Sequence, residues 1–210
     1  MMSTLQAKKP QHRVSSGFVT RNGTMRLVRS RYEGRKISLE DFLLWEPPMD
    51  GRKYEWNQGF IETNEKNMTT EQTFITENIA FAFEQTRYRK ERHALLSEID
   101  IEMPTLDKMR RPDMVYLTAE QIKAARSGVK PIPKFVIEVV SAHDKLNAMK
   151  AKLEDYFRFG VEVVWYVYPA HQHVEIYTSP TAILICNGEH LCSAAPALPE
   201  FSMKASDVFA

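Results

Sequence analysis

The stretch KFVIEVVSA, residues 134–142, is an apolar run rich in β-branched residues with one carboxylate in its middle. The run predicts a strand that is buried on both of its faces. Its carboxylate, Glu138, is costly to bury unless the charge is paired, protonated or bound to a cation. Glu138 is therefore the first candidate for a functional side chain.

A second acidic residue, Asp113, begins another predicted strand, PDMVYLT (residues 112–118), and a predicted helix over residues 119–128 separates it from the first. Two strands joined by a helical crossover can lie side by side in one sheet, so the two carboxylates could converge. Close carboxylates repel each other, and such a pair commonly binds a hard cation such as Mg²⁺. The alternatives are that Glu138 pairs with a neighbouring Lys or Arg, or lies on an edge strand facing water.

The stretch HDKLNAMKAKLEDYFRFG, residues 143–160, predicts a helix that ends at Gly160. Apolar side chains recur along it at helical spacing and predict its buried face, namely Leu146, Met149, Leu153, Tyr156 and Phe157. Lys145 and Lys152 fall together on one flank of that face. A flanking Lys can lay its stem on the sheet and bring a positive charge to the carboxylates, or it can form a solvated helix edge.

The remaining segments predict an α/β (α+β) fold, with a mixed central sheet flanked by helices and extra β-hairpins. A short helix is predicted after Ser38, and a long one from Thr69 or Thr70 to about Arg92. The other predicted elements are a strand pair in 53–62, a strand over 94–103, a hairpin of 161–168 with 173–178, and a further hairpin in 182–192.

The charge is divided unevenly along the chain. Residues 1–36 hold nine Lys or Arg and one acidic residue, whereas residues 37–210 hold nineteen and twenty-six. This division predicts a basic N-terminal arm (1–36) on an acidic domain (37–210), and a polyanion as partner, although a solvated tail would show the same pattern. The two cysteines, Cys186 and Cys192, are expected to be free thiols. Neither a signal peptide nor a membrane span is visible, so we expect a cytoplasmic protein.

Several motifs, in order, resemble the Uma-type restriction endonucleases, a large bacterial family of the PD-(D/E)XK nuclease superfamily. They are YEWNQGFIE, RRPDMVYLT, KFVIEVVSA, KLEDYFRFGVEVVWYVYP and HVEIY, followed by Leu198-Pro199 and a short terminal helix. Together they cover roughly residues 38–210. A Pro-Asp followed by a distant Glu is a weak signal alone, but the ordered set, above all the run from Lys152 to Val161, is specific.

The resemblance implies a restriction-endonuclease-like fold and a metal-dependent endonuclease that hydrolyses DNA phosphodiester bonds. It implies Asp113 and Glu138 as ligands of Mg²⁺ or Mn²⁺, with the carbonyl of Val139 as a third. Lys152 matches the catalytic lysine that the family often carries on this helix, and Glu55 matches a position at the rim of the site. Cleavage of both DNA strands by one site per chain would suggest a homodimer.

The chain also departs from the family pattern. Val140 stands where the superfamily motif has its Lys. Gln58-Gly59-Phe60 replaces the common Asp-Gly-Glu, and Ala148 replaces an acid on the helix before Lys152. Because possible supporting acids are lost, the alternative is a non-catalytic module that binds nucleic acid or protein and retains the nuclease fold.

Overall fold

The computed structural model describes residues 18–21, 24–27, 30–65, 69–141 and 144–210. The helices are α1 (Leu39–Leu44), α2 (Thr70–Glu84), α3 (Arg87–Lys90), α4 (Ala119–Ala125), α5 (Leu146–Phe159) and α6 (Ala205–Val208). The strands are β1 (Phe18–Arg21), β2 (Thr24–Leu27), β3 (Arg52–Asn57), β4 (Phe60–Glu65), β5 (Ala94–Ser97), β6 (Ile101–Met103), β7 (Lys108–Arg110), β8 (Met114–Leu117), β9 (Phe135–Val139), β10 (Val163–Tyr168), β11 (His173–Tyr177), β12 (Ile183–Asn187), β13 (Leu191–Ala194) and β14 (Leu198–Lys204).

Two sheets dominate the architecture. A six-stranded sheet has the order β12-β11-β10-β9-β8-β5, and a four-stranded sheet has the order β4-β3-β7-β6. In the larger sheet β9 and β10 are parallel, whereas β8 and β9 are antiparallel. The sheet is therefore mixed, and helices flank it, as the sequence predicts.

Strand β9 lies inside the larger sheet, and its alternating side chains enter two different cores. Phe135, Ile137 and Val139 join the cluster that includes residues of α2 and α6. Val136, on the opposite face, joins the cluster that includes residues of α5. Because side chains alternate along a strand, Glu138 lies on the face that α5 covers.

Helix α5 ends at Gly160, as predicted, because this residue adopts φ 108°, a left-handed conformation that glycine tolerates. The Gly160 N–H donates to the carbonyl of Tyr156 at 3.1 Å. The buried face differs in part from the prediction: Leu146 is exposed, whereas Phe159 and the acidic residue Asp155 are buried.

Three further predictions are wrong in detail. The long helix is divided into α2 and α3, because the Thr86 hydroxyl donates to the carbonyl of Phe83 and Thr86 is extended. The strand predicted over 94–103 is two strands, because Glu98 turns the chain with φ 53°. The last predicted hairpin does not form: β12 pairs with β11, and β13 pairs with β14.

The predicted arm lies partly outside the described residues, which exclude 1–17, 22–23 and 28–29. Within it, β1 and β2 form an antiparallel hairpin. Residues 30–36 contact the smaller sheet: Gly34 N donates to the carbonyl of Ile61 at 2.8 Å, and Lys36 bridges Phe60. The division of the chain at residue 36 remains a prediction. Because residues 30–36 contact the smaller sheet, a deletion that tests the arm should end before Ser30.

Among the helices that the structure describes, none has the length and apolar character needed to cross a membrane. Cys186 and Cys192 are both buried and both free.

Candidate active site

Asp113 and Glu138 lie on neighbouring strands and face the same side of the larger sheet. Met114 pairs with Ile137 across β8 and β9, so the next pair along this register is Asp113 with Glu138. Val115, two residues after Asp113, belongs to the cluster packed on α5. The strand alternation therefore directs both carboxylates towards α5.

Asp113 connects three parts of the structure. Its Oδ2 accepts a hydrogen bond from the main-chain N–H of Val139 at 2.6 Å. Its Oδ1 contacts the ammonium of Lys53, which comes from β3 in the smaller sheet. Lys53 Nζ also lies 4.0 Å from Glu98 Oε1. Burial lowers the pKa of Lys53, but Asp113 and Glu138 outweigh it and hold the pKa above its ordinary value.

Glu138 meets two side chains from α5. The Tyr156 hydroxyl donates to its Oε1 at 2.5 Å, and Lys152 Nζ lies 3.6 Å from the same oxygen. Burial raises the pKa of Glu138 to about 6, with Lys152 opposing the shift and the charge of Asp113 adding to it. Glu138 therefore has a carboxylate that is poorly stabilised as an anion unless a cation approaches.

Lys152 is held by Glu55 as well as by Glu138. Its Nζ lies 2.9 Å from Glu55 Oε1, and its side chain is 14% exposed. Although burial favours the neutral amine, the two carboxylates raise the pKa of Lys152 well above its ordinary value. Lys152 is therefore a fixed positive charge beside the carboxylate of Glu138.

Glu55 is fully buried and belongs to a network of ion pairs. It accepts from Arg111 N at 2.9 Å and from Arg110 Nη1 at 3.1 Å. Burial alone would raise the pKa of Glu55, but Lys152 and Arg110 lower it to about 2. Arg110 in turn pairs with Asp155 of α5 at 2.7 Å, so the smaller sheet and α5 are joined by buried charges.

A cleft of about 410 Å³ opens beside these groups. One wall comes from the smaller sheet and includes Asn57, Glu62 and Arg110. The facing residues come from the end of β9 and from α5, and include Glu138 and Lys152. A bound molecule can therefore reach both the carboxylate and the ammonium.

Residues 39–206 match the model of the Uma2 family, which is described as "Putative restriction endonuclease". The chain belongs to the Uma2 family. No curated protein matches it.

The Uma2-family chain also shares its fold with a crystal structure from Anabaena variabilis, described as a "putative nuclease belonging to DUF820". The two chains are 16% identical with a TM-score of 0.69, and the match covers 82% of this chain and 97% of the other. At this identity the likeness concerns the fold, and it confirms the predicted class.

The structure brings together Asp113, Glu138, Lys152 and Glu55, the four candidate side chains of this Uma2-family chain. Val139, whose carbonyl is the predicted third ligand, donates its main-chain N–H to Asp113. Lys145 lies at the N-terminus of α5 and is exposed.

Sequence reasoning missed Lys53, Arg110, Asp155 and the hydroxyl of Tyr156. One of them left a signal. Lys53 and Glu55 alternate along β3 with two buried aromatic residues, Tyr54 and Trp56, which is typical of a strand with one charged face turned inward.

Proposed function

We propose that the chain is a metal-dependent endonuclease that hydrolyses DNA phosphodiester bonds. The observation that carries the proposal is the convergence of two carboxylates and a fixed ammonium: Asp113 and Glu138 are neighbours in register, and Lys152 lies 3.6 Å from Glu138. Glu138 and Lys152 line the cleft. Family membership supports the same reaction class.

The donor set suits a hard divalent cation. Among the described residues, no group of three or more His, Cys, Asp or Glu side chains is arranged like a metal centre. Two carboxylates with a main-chain carbonyl are nevertheless a typical protein contribution to Mg²⁺, which keeps several of its waters. The ammonium of Lys53 already lies on Asp113, so this position accepts a cation.

Asp113, Glu138 and the carbonyl of Val139 would hold Mg²⁺ or Mn²⁺. When bound there, the ion would supply a Lewis acid for the phosphate and lower the pKa of water. The Val139 N–H fixes the carboxylate of Asp113, and the Tyr156 hydroxyl fixes that of Glu138. Both ligands are thus oriented before an ion arrives.

Lys152 stabilises the negative charge that develops on the phosphate oxygens. A preorganised positive group is effective because it needs no rearrangement during the reaction. Glu55 positions this ammonium, and Arg110 and the Arg111 N–H keep Glu55 ionised. Lys152 therefore takes the role that Val140 cannot fill on the strand.

The basic segment 1–36 would add sequence-independent contacts to DNA phosphates. Two copies of the chain, each with one site, would cut both strands of a duplex. Sedimentation velocity with and without a short DNA duplex tests this homodimer, and a monomer on bound DNA would contradict it.

Cleavage of supercoiled plasmid tests the proposal. We expect nicked and linear products with Mg²⁺ or Mn²⁺, none with a chelator, and none from Asp113→Asn, which keeps the shape of the side chain. Lys145→Ala, at the exposed end of α5, is the matched control and should retain activity. A folded wild type that binds DNA but cuts no substrate with any divalent metal would favour the non-catalytic binding module.

A further inference from the structure

Lys53 is a second buried lysine at the carboxylate pair, and the proposed reaction leaves it without a role. It comes from β3 of the smaller sheet, whereas Lys152 comes from α5. Its side chain is only 7% exposed, and its ammonium contacts Oδ1 of Asp113 directly. It therefore lies on an oxygen of a proposed metal ligand.

The position of Lys53 has two consequences of opposite sign. Two buried carboxylates on adjacent strands repel each other, so an ammonium beside them stabilises the protein without metal. The same ammonium repels a divalent cation and competes with it for Asp113. Metal binding and the Lys53–Asp113 ion pair thus compete for one oxygen.

We propose that Lys53 is the internal counter-cation of the Asp113–Glu138 pair, bound to Asp113 in the metal-free protein and displaced when a divalent ion binds. The inference rests on the metal site of the proposed function. Lys53 is a positioning residue that lowers the affinity for metal. When no metal is bound, its charge offsets the repulsion between the two carboxylates.

The surroundings of Lys53 allow this movement. A lysine carries its charge on a flexible stem, so its ammonium can shift by a few ångströms while the stem stays packed. Glu98 provides a second carboxylate within reach, since its Oε1 lies 4.0 Å from Lys53 Nζ. The displaced ammonium therefore keeps an acidic partner inside the protein.

Calorimetric titration with Mn²⁺ tests the inference on the whole chain. We expect Lys53→Met to bind Mn²⁺ about tenfold more tightly than the wild type, within the usual range for coupling between two binding events. Its melting temperature without metal should fall. Lys53→Arg keeps the charge and should bind as weakly as the wild type.

Lys108→Met is the matched control. Lys108 is similarly buried, at 13% exposure, and its Nζ lies 2.7 Å from a carboxylate oxygen of Asp155, which is not a proposed ligand. We expect this variant to melt lower with unchanged affinity for Mn²⁺. A purely structural lysine at position 53 would behave in the same way.

The outcomes separate the two proposals. If Lys53→Met binds Mn²⁺ no more tightly than the wild type, the counter-cation role is wrong while the metal site stands. If neither chain binds Mn²⁺, the metal-dependent function fails and this inference fails with it.

A second measurement needs no variant. A crystal structure of the wild type soaked with Mn²⁺ should show the ion on Asp113 and the Lys53 ammonium moved from Asp113 Oδ1 towards Glu98. An ion bound to Asp113 with Lys53 Nζ still in contact with Oδ1 would overturn the inference even if Lys53→Met failed to fold.

Discussion

The two faces of the six-stranded sheet are made by the same strands but hold different chemistry. The face towards α2 and α6 packs apolar side chains such as Phe135, Ile137 and Trp165. The face towards α5 also packs apolar side chains, such as Val136 and Val164, but next to them it carries a group of charged side chains. Of the described residues, five charged ones are classed as buried, and all five gather where α5 and the smaller sheet meet this face: Lys53, Glu55, Arg110, Asp113 and Asp155.

The difference separates the contacts that hold the fold from the charges that the proposed function uses. Burying apolar surface stabilises the first face directly. On the second face the burial of each charge opposes folding, and ion pairs only offset that cost. Such an arrangement is weak as a source of stability, but it fixes charges in place without solvent. Mutations on the apolar face should therefore mainly lower the free energy of unfolding, and mutations on the charged face should mainly lower the rate of cleavage.

The largest effect on stability is expected on the apolar face. Phe135 is fully buried, and its ring lies 5.0 Å from that of Trp165 in an edge-to-face arrangement. Phe135→Ala should lower the free energy of unfolding by about 3–5 kcal/mol, the usual range for losing a buried Phe. Urea denaturation measures this change. Cleavage per folded molecule should stay near the wild-type value, and a large loss there would mean that the faces are not separate.

The next largest effect is expected on the charged face, and it concerns rate. Lys152→Ala should lower the rate of plasmid cleavage roughly 10²–10³-fold, the scale for losing one donor to the transition state. The fold should survive, because α5 keeps Leu153 and Tyr156 in the core. Lys145→Ala, on the same helix flank but exposed, should have a much smaller effect. Equal rates for the wild type and Lys152→Ala would refute the role.

The sequence predicted the apolar face better than the charged one. A run of β-branched residues specifies a buried strand locally, so β9 and α5 were found close to their observed bounds. The pairing partners of β12 and β13 depend on distant strands, and nothing near Asn187-Gly188 distinguishes a hairpin from a crossing between sheets.

The candidate site shows the same limit. The sequence predicts Asp113, Glu138 and Lys152 as site residues because each lies in a patterned segment or matches a family motif. Lys53 and Arg110 belong to β3 and β7, and they reach the site only because the smaller sheet packs there. The alternation along β3 marks Lys53 as facing inward, but nothing in the sequence indicates which distant carboxylates these two side chains meet.

A smaller effect is expected on the pH dependence of stability, which measures what a buried charge on the second face costs. The pKa of Glu138 is raised from 4.5 to about 6. Below pH 4.5 Glu138 therefore costs no stability, and as the pH rises through about 6 its ionisation lowers the free energy of unfolding of the metal-free protein. The full loss is about 2 kcal/mol, at 1.36 kcal/mol for each pKa unit. Glu138→Gln should therefore melt higher than the wild type above pH 6, and like it below pH 4.5.

Glu55 supplies the internal control for this experiment because its shift has the opposite sign. Its pKa is lowered to about 2, so its contribution to stability is present above 4.5 and is lost as the pH falls towards 2. Glu55→Gln should melt lower than the wild type at neutral pH. Thermal melts across pH 3–8 measure both variants, and a Glu138→Gln variant that is less stable at every pH would contradict the assignment.

Compared with the two faces of the sheet, the smallest effect on stability is expected from deleting the N-terminal segment, a basic region. Residues 1–29 contain six Lys or Arg and no acidic residue, and they precede the contacts that begin at Ser30. Deleting them should leave the melting temperature nearly unchanged. DNA binding should weaken, and the slope of log affinity against log salt should flatten by at most about 5, because each phosphate contact releases about 0.9 counterion.

A variant with the six basic residues replaced by Gln separates charge from chain length. It should lose the same salt dependence as the deletion while keeping every residue of the segment. If the deletion alone weakens DNA binding, the segment acts through its length or its β1–β2 hairpin and not through charge. If the deletion prevents folding, the segment belongs to the folded domain, and a basic arm separate from an acidic body is the wrong description of this chain.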